Sequence, residues 1–198
     1  MSGLKISAIL LAAGLSSRMG EDKLLLVYDG KTFLQRALDL LAELSVYERI
    51  LVTTAGRLSK VARAPGVKVE LNPLPEAGQS GSVKLGITAA TGNCYLFMTA
   101  DQPMLKAADL QPLLERAKEA SSRSNAKIIY PEINGNPCMP CLFTSDFREE
   151  LLTIEGDTGG RAVRIKFPEA CEVIKPESPE NFIDIDDFKD YKNLKTIN

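Results

Sequence analysis

One segment of the chain, LAAGLSSRMGEDKLLL at residues 11–26, brings together a glycine, two hydroxyl side chains and two permanent cations. Gly14 permits a tight turn and a close approach of the backbone to a ligand. Arg18 can hold a phosphate through two hydrogen bonds, and Lys23 can neutralise one as a point charge. The hydroxyls of Ser16 and Ser17, with the backbone amides between them, add donors for anionic oxygens. The segment therefore predicts a triphosphate-binding loop; the alternative is a surface loop whose charges are solvated.

The spacing of this loop excludes two common phosphate-binding motifs. A dinucleotide fingerprint would have the pattern G-x-G-x-x-G, which this loop lacks. A Walker A loop has four residues between its glycines and a lysine directly after the second. Here five residues separate Gly14 from Gly20, and Lys23 comes three positions after Gly20.

A second candidate for chemistry is Asp101, which follows an apolar stretch at residues 95–99 and precedes a Gln-Pro pair. A carboxylate at the end of a buried strand can bind Mg²⁺, which prefers one or two carboxylates together with phosphate oxygens and water. The second carboxylate would be Asp184 or Asp186, which alternation along a predicted late strand places on one face. The alternatives are a turn or cap role for Asp101 and a solvated acidic helix start for the late carboxylates.

The elements that must position these residues alternate between apolar β-type runs and helical periodicity. Helices are predicted around three groups of periodic apolar residues, at 33–44, 80–90 and 110–117. Strands are predicted at residues 6–12, 49–54, 67–71, 95–99 and 127–130. This order predicts a three-layer, Rossmann-like α/β fold with a mainly parallel sheet. Ligands bind such sheets beyond the carboxyl ends of the strands, where the first loop and Asp101 lie.

The sequence after residue 131 is less regular. Two prolines accompany Cys138–Cys141, which we expect to form an edge strand or a loop. The end of the chain, residues 182–194, is predicted to form a short strand followed by a helix.

Composition narrows the range of functions. The chain has 198 residues, 44% of them hydrophobic and 25% charged, which is typical of one soluble globular domain over residues 1–198. Its 24 basic and 26 acidic residues leave a net charge of −2, which argues against nucleic acid or a membrane surface as a partner. The chain has no histidine, so Ser-His-Asp triads, His-ligated zinc and haem are excluded. Any chemistry therefore rests on carboxylates, Lys, Arg or the backbone.

The four cysteines are too few for a disulfide scaffold and favour a reduced, cytoplasmic setting. The ten-residue apolar run from Ile6 to Leu15 resembles a signal peptide in part, but a membrane helix needs about 20 residues. Cys138 and Cys141 have C-x-x-C spacing, which indicates either incidental buried thiols or a thiol-redox or metal module.

The pattern LAAG-x-S-x-R-M-G-x-x-K resembles the signature of nucleotidyltransferases with the nucleotide-diphospho-sugar transferase fold. Within them it most resembles the molybdenum cofactor cytidylyltransferases, because the guanylyltransferase branch has Leu-Ala-Gly-Gly where this chain has Leu11-Ala12-Ala13-Gly14. The resemblance implies transfer of CMP from CTP to the terminal phosphate of molybdopterin, with release of pyrophosphate. It also implies Mg²⁺ as cofactor, a phosphorylated pterin-type acceptor, and a molybdoenzyme or its chaperone as a further candidate partner.

The resemblance extends over most of the chain and implies a role for several further residues. Arg18, Lys23 and Asp101 would act in catalysis, with Asp101 and Asp184 or Asp186 on the metal. The nucleotide side would comprise Leu11, Ala12, Ala13, Gly14, Ser16, Ser17, Asn72, Gly78 and Ser82. The acceptor side would comprise Gly156, Asp157, Gly160 and Arg161, from the segment GDTGGR.

Other functions remain open at this point. Within the enzyme class they are a sugar- or polyol-phosphate nucleotidyltransferase and a guanylyltransferase for the same cofactor. Outside it they are the Cys138/Cys141 thiol-redox or metal module and a cofactor chaperone without turnover. Many members of the family have Gly-His-Pro where this chain has Cys138-Met139-Pro140, on a segment expected to face the second substrate.

Overall fold

A computed structural model of the chain describes residues 3–15, 22–58, 65–123 and 127–196. The strands in chain order are β1 (Ile6–Ala12), β2 (Val27–Tyr28), β3 (Lys31–Thr32), β4 (Glu48–Thr53), β5 (Val67–Leu71), β6 (Cys94–Thr99), β7 (Ile128–Ile133), β8 (Asn136–Pro137), β9 (Cys141–Thr144) and β10 (Cys171–Ile174). The helices are α1 (Phe33–Glu43), α2 (Ala55–Leu58), α3 (Gln79–Ala89), α4 (Ala107–Arg123), α5 (Arg148–Thr153), α6 (Arg161–Lys166) and α7 (Phe188–Thr196). None of the helices in these ranges is long and apolar enough to span a membrane.

The main sheet has seven strands in the order β10-β7-β9-β6-β1-β4-β5, and the short β8 pairs with β7. Strand β9 is antiparallel to its neighbours β6 and β7, and the other pairs along this order are parallel. The predicted mainly parallel α/β sheet is confirmed. Because β1, β4 and β6 are adjacent and parallel, their carboxyl ends meet at one edge of the sheet.

Two helical layers cover the sheet, which explains why β1 is apolar and buried along its whole length. Ala8 and Leu10 belong to one apolar cluster with residues of α1 and α4. Ile9 and Leu11, which alternate with them, belong to a second cluster with residues of α3, α5 and α6. Successive side chains of a strand face opposite sides of the sheet, so these two clusters confirm the predicted three layers.

The expectation of an edge strand near Cys138–Cys141 is wrong for Cys141. This residue begins β9, which lies inside the sheet and whose four residues are all buried. Pro137 and Pro140 lie outside β9, so neither removes a hydrogen-bond donor from its ladders.

The strand predicted near residue 182 does not form. A 3₁₀ turn at Pro179–Phe182 is followed by a segment without regular structure, and α7 then begins at Phe188. Ile185 is buried against Tyr191 and Leu194, and its N–H donates to the carbonyl of Asp101 at 2.9 Å. This segment is therefore a loop tied to the end of β6, although its alternation of Ile and Asp is typical of a strand.

Candidate active site

A cavity of about 650 Å³ opens at the edge of the sheet where β1 and β6 end. Its walls are residues 11–15 at the end of β1, residues 23–24, residues 75–79 with Ser82, residues 99–101 at the end of β6, and Asp157 and Asp186. This is the position that the parallel topology predicts for a ligand.

Ten of the predicted site residues line this cavity. They are Leu11, Ala12, Ala13, Gly14, Lys23, Gly78, Ser82, Asp101, Asp157 and Asp186. The lining does not include Asn72, Asp184, Gly156, Gly160 or Arg161. Ser16, Ser17 and Arg18 lie outside the described residues, so their assignment to phosphate stays a prediction.

The side chain of Lys23 links the segment after β6 to the segment before α7. Its ammonium Nζ lies 2.7 Å from Oδ2 of Asp101 and 3.0 Å from Oδ1 of Asp186, and it also donates to the carbonyl of Ile185 at 3.3 Å. Burial alone would lower the pKa of Lys23, but the charges and hydrogen bonds of the two carboxylates outweigh it, so its pKa lies above the usual value. Lys23 is therefore a permanent cation in the wall of the cavity.

A short 3₁₀ turn, Lys23–Leu25, sets the direction of the Lys23 side chain. Asp22 caps this turn, because its Oδ1 accepts a hydrogen bond from the N–H of Leu24 at 3.2 Å. Leu24 is buried in the core cluster that includes Leu34 and Leu38 of α1. The cap and the buried leucine fix the backbone of the turn and so orient the ammonium toward Asp101.

Asp101 is suited to a divalent cation. Its Oδ1 is buried and has no hydrogen-bond partner among the described residues, and such an oxygen costs free energy until a ligand satisfies it. No group of three or more His, Cys, Asp or Glu side chains in the described ranges is arranged to hold a metal. The residues thus fit a Mg²⁺ ion that takes one or two carboxylates and fills its shell with phosphate oxygens and water.

The late acidic residues divide into two kinds. Asp186 lines the cavity beside Lys23. Asp184 lies outside the lining, and partial desolvation together with the negative charges of Asp101 and Asp186 raises its pKa to about 7. Asp187 caps α7 by accepting hydrogen bonds from Lys189 and Asp190, which is the structural role that an acidic helix start predicts.

The N-terminus of α3 forms a further part of the cavity wall, and its conformation depends on Gly78. This residue has φ +100°, and a Cβ there would lie 2.5 Å from the carbonyl carbon of Gly156, so no other residue fits without displacing that backbone. The carbonyl of Gly156 accepts the N–H of Ser80 at 3.2 Å. Asn72 does not line the cavity but contacts Ser82, which does: its Nδ2 donates to Oγ of Ser82 at 3.0 Å. A helix N-terminus of this kind favours anions.

The residues predicted on the acceptor side are not brought together. Asp157 is in the cavity wall, whereas Gly156 supports α3. Gly160 packs against Phe143, since a Cβ there would lie 2.6 Å from the ring, and Arg161 is exposed at the start of α6. Of the four, only Asp157 therefore reaches the cavity itself.

Sequence reasoning missed Arg57, a buried residue of α2 with only 6% exposure. Its guanidinium contacts the carbonyls of Ala12 at 2.7 Å and Gly14 at 2.5 Å, and its Nε lies 2.6 Å from Oδ2 of Asp22. The available signal was topological. Arg57 follows β4, the neighbour of β1, so it had to lie at the same edge of the sheet.

The four cysteines form no disulfide with one another. Burial raises the pKa of Cys141 to about 12, and burial with the nearby charge of Asp184 raises that of Cys138. The thiol of Cys138 donates to the carbonyl of Asn136 at 3.3 Å. A reactive thiol needs a lowered pKa, so these surroundings favour the incidental-thiol interpretation over a redox module.

The family model described as a MobA-like NTP transferase domain matches residues 8–170, more than half of the chain. The chain belongs to this family. The matched span includes most of β1 together with Lys23, α3, Asp101 and Asp157, and it ends before Asp186. Family membership confirms the predicted nucleotidyltransferase class.

Two relatives of the chain are named as probable molybdenum cofactor guanylyltransferases. The protein from Pyrococcus horikoshii is 32% identical over 92 residues, which are 45% of this chain and 48% of that protein. The protein from Rhodopirellula baltica is 34% identical over 121 residues, 58% of this chain and 57% of that protein. The chain thus spans about half the length of the relatives that it matches.

A solved structure shares the fold over nearly the whole chain. Rv0371c from Mycobacterium tuberculosis superimposes with a TM-score of 0.80 at 20% identity, covering 98% of each chain. A further crystal structure of Rv0371c is a complex with manganese, and it superimposes with a TM-score of 0.74 at 20% identity, covering 96% of this chain and 97% of that chain. At this identity the likeness concerns the fold alone.

Proposed function

We propose that this chain transfers a nucleoside monophosphate from a nucleoside triphosphate to the terminal phosphate of molybdopterin, with release of pyrophosphate. The observation that carries the proposal is the ammonium of Lys23, held between Asp101 and Asp186 in a cavity whose walls include a glycine-containing loop and a helix N-terminus. Cation, backbone amides and carboxylates are what the phosphates and the metal of a nucleotide require.

The reaction needs no general base. An oxygen of the acceptor's phosphate monoester attacks the α-phosphorus, and a new P–O bond forms. The bond from the α-phosphorus to the oxygen that bridges to the β-phosphate breaks, and its electron pair leaves with pyrophosphate. The attacking oxygen already carries its lone pair as part of a dianion, which suits a chain without histidine. Catalysis then rests on position and charge neutralisation.

Each protein group has a definable task in this scheme. Lys23 neutralises the charge that grows on the leaving pyrophosphate. Asp101 and Asp186 would hold Mg²⁺, which when bound supplies positive charge next to the triphosphate oxygens. The manganese complex of Rv0371c supports a divalent cation in this fold. Residues 11–15 and the N-terminus of α3 bind and orient the nucleotide from opposite walls.

For the nucleotide we propose GTP, so that the product carries GMP. The relatives named above support this choice, because both are called guanylyltransferases. CTP is a second candidate, and Ala13 favours it. Ala13 is 2% exposed in the cavity wall, and its methyl takes space that a purine needs more than a pyrimidine does.

The test is a screen of the four nucleoside triphosphates against molybdopterin and a panel of sugar and polyol phosphates, with pyrophosphate as the readout. We expect pyrophosphate with molybdopterin and GTP, and less with CTP. Turnover only with a sugar or polyol phosphate would replace the acceptor in the proposal. Absence of turnover with every pair would contradict an enzymatic role.

A further inference from the structure

We infer that Arg57 is a positioning residue that fixes the two described ends of the phosphate-binding loop, residues 12–15 and residues 22–23, for nucleotide binding; this inference rests on the function proposed above. Arg57 does not belong to the described residues that line the cavity, but it contacts Ala12 and Gly14, which do. Those partners stand on both sides of the loop. Ala12 and Gly14 precede residues 16–21, and Asp22 follows them.

The first consequence concerns the direction of backbone amides. In a trans peptide the carbonyl and the next residue's N–H point in opposite directions. The carbonyls of Ala12 and Gly14 point to Arg57, so the N–H groups of Ala13 and Leu15 point away from it. Ala13 and Leu15 both line the cavity. Arg57 thus holds two carbonyl groups away from the side of the backbone where phosphate is proposed to bind, so that N–H donors face that side.

The second consequence concerns Lys23. The ion pair of Arg57 with Asp22 is close, and the Arg57 side chain is 8% exposed, so water screens it little. Asp22 caps the turn that carries Lys23. One guanidinium therefore fixes the amides at the start of the loop and the cation at its end.

A planar fork is required for this task, because one side chain must reach two carbonyls and a carboxylate at once. Lysine would keep the charge but cannot present donors in that fixed geometry. Arg57→Lys therefore tests geometry at constant charge. Asp22→Asn is a second variant, which keeps an oxygen for the cap and removes only the charge that pairs with Arg57.

A matched control is available in Arg49. Its guanidinium also contacts backbone carbonyls, those of Leu41 and Leu44, at 2.8 and 2.5 Å. These carbonyls belong to the end of α1, and Arg49 does not line the cavity. Arg49→Lys removes a similar fork from a similar setting, so it reports the effect of lost stability alone.

The experiment measures the dissociation constants of GTP and of inorganic tripolyphosphate by calorimetry, with melting temperature recorded for each protein. We expect Arg57→Lys and Asp22→Asn to weaken both ligands by the same factor, about tenfold for Arg57→Lys. Millimolar methylguanidinium should restore part of the affinity of Arg57→Ala. Arg49→Lys should melt earlier but bind as wild type does.

Unchanged tripolyphosphate binding in a folded Arg57→Lys protein would overturn the inference, as would an equal loss in Arg49→Lys. If wild type itself bound neither ligand, the proposed function would fail instead. The two failures are therefore distinguishable.

Discussion

Lys23 and Asp101 form an ion pair of 2.7 Å in which the side chains are 17% and 19% exposed. The pair joins the loop after β1 to the end of β6, across the edge where the nucleotide is proposed to bind. Asp101 thereby has one oxygen on Lys23 and a second that is buried without a partner among the described residues. The ammonium of Lys23 and a divalent cation from solution would thus both bind the carboxylate of Asp101.

Removing the ammonium of Lys23 should have opposite effects on turnover and on metal binding. In Lys23→Met we expect kcat/KM for the triphosphate to fall by about ten- to a hundredfold, since a charge-assisted contact contributes roughly 1.5–3 kcal/mol. Affinity for Mn²⁺ without nucleotide should rise, because Asp101 and Asp186 lose the cation that neutralises them. Steady-state kinetics and titration with Mn²⁺ measure both.

The control for this variant is Lys31→Met, which removes an exposed lysine paired with Asp39. Exposed pairs contribute little, so both readouts should stay at wild-type values. Weaker Mn²⁺ binding in Lys23→Met would contradict competition between ammonium and metal for Asp101.

Replacing Asp101 by asparagine should abolish turnover without unfolding the protein. The amide keeps the shape of the side chain but removes the anionic oxygen that a hard cation requires. Turnover at saturating Mg²⁺ and the melting temperature are the measurements, with Asp39→Asn as a control at a carboxylate that does not line the cavity. Retention of most wild-type activity would remove Asp101 from the metal site.

Asp184 should make stability depend on pH. Its pKa is about 7 in the folded chain against 3.8 as the reference for an unfolded one. Between these values the folded state binds more protons, so the free energy of unfolding should fall as pH rises. Asp184→Asn should therefore gain stability relative to wild type between about pH 5 and about pH 8. Denaturant titrations across this range measure the gain.

The pKa of Asp39 is shifted in the opposite direction from that of Asp184. Asp39→Asn is therefore a control for the general effects of removing a carboxylate. A hydrogen bond from Lys31 lowers the pKa of Asp39, so its contribution is present above the usual carboxyl range and is lost as pH falls through its lowered pKa. The difference between Asp39→Asn and wild type should stay constant from about pH 5 to about pH 8. If the difference in stability between Asp184→Asn and wild type were also constant over this range, the pKa of Asp184 would not be raised in the folded state.

The methyl of Ala13 should influence the choice of base. In Ala13→Gly we expect kcat/KM for GTP to rise relative to that for CTP, by at most about 10- to 200-fold, the range found for one methylene in a pocket. Comparing both nucleotides in both proteins measures this ratio. The same ratio in Ala13→Gly and wild type would place base selection elsewhere in the cavity.

The cysteines should be dispensable. Cys138 has a raised pKa and Cys141 is buried in β9, so neither provides a thiolate near neutral pH. Cys138→Ser should keep activity within about twofold, because Cys138 does not line the cavity and a substitution outside it changes free energies by about 0.5 kcal/mol or less. Loss of activity together with rapid alkylation of wild-type Cys138 would revive the thiol-redox alternative.

The fold was predictable where the hydrophobic pattern of a segment agrees with its position in the sheet. The continuous apolar run of β1 indicated a buried central strand, and the parallel order placed its loop and Asp101 at one edge. Residues 183–187 were not predictable from pattern, since exposed Ile183 and buried Ile185 mimic a strand while packing around α7 decides their conformation. Arg57 was missed because two of its partners are backbone carbonyls, which no side-chain motif reveals.

The chemical identity of the product tests nucleotidyl transfer at this cavity most directly. Wild-type protein with GTP, molybdopterin and Mg²⁺ should yield a molybdopterin–GMP compound whose ³¹P spectrum shows a diphosphate linkage, with one pyrophosphate released per product. Asp101→Asn should yield neither. Release of inorganic phosphate without a new diphosphate linkage, or incorporation that is the same in Asp101→Asn, would contradict nucleotidyl transfer at this cavity.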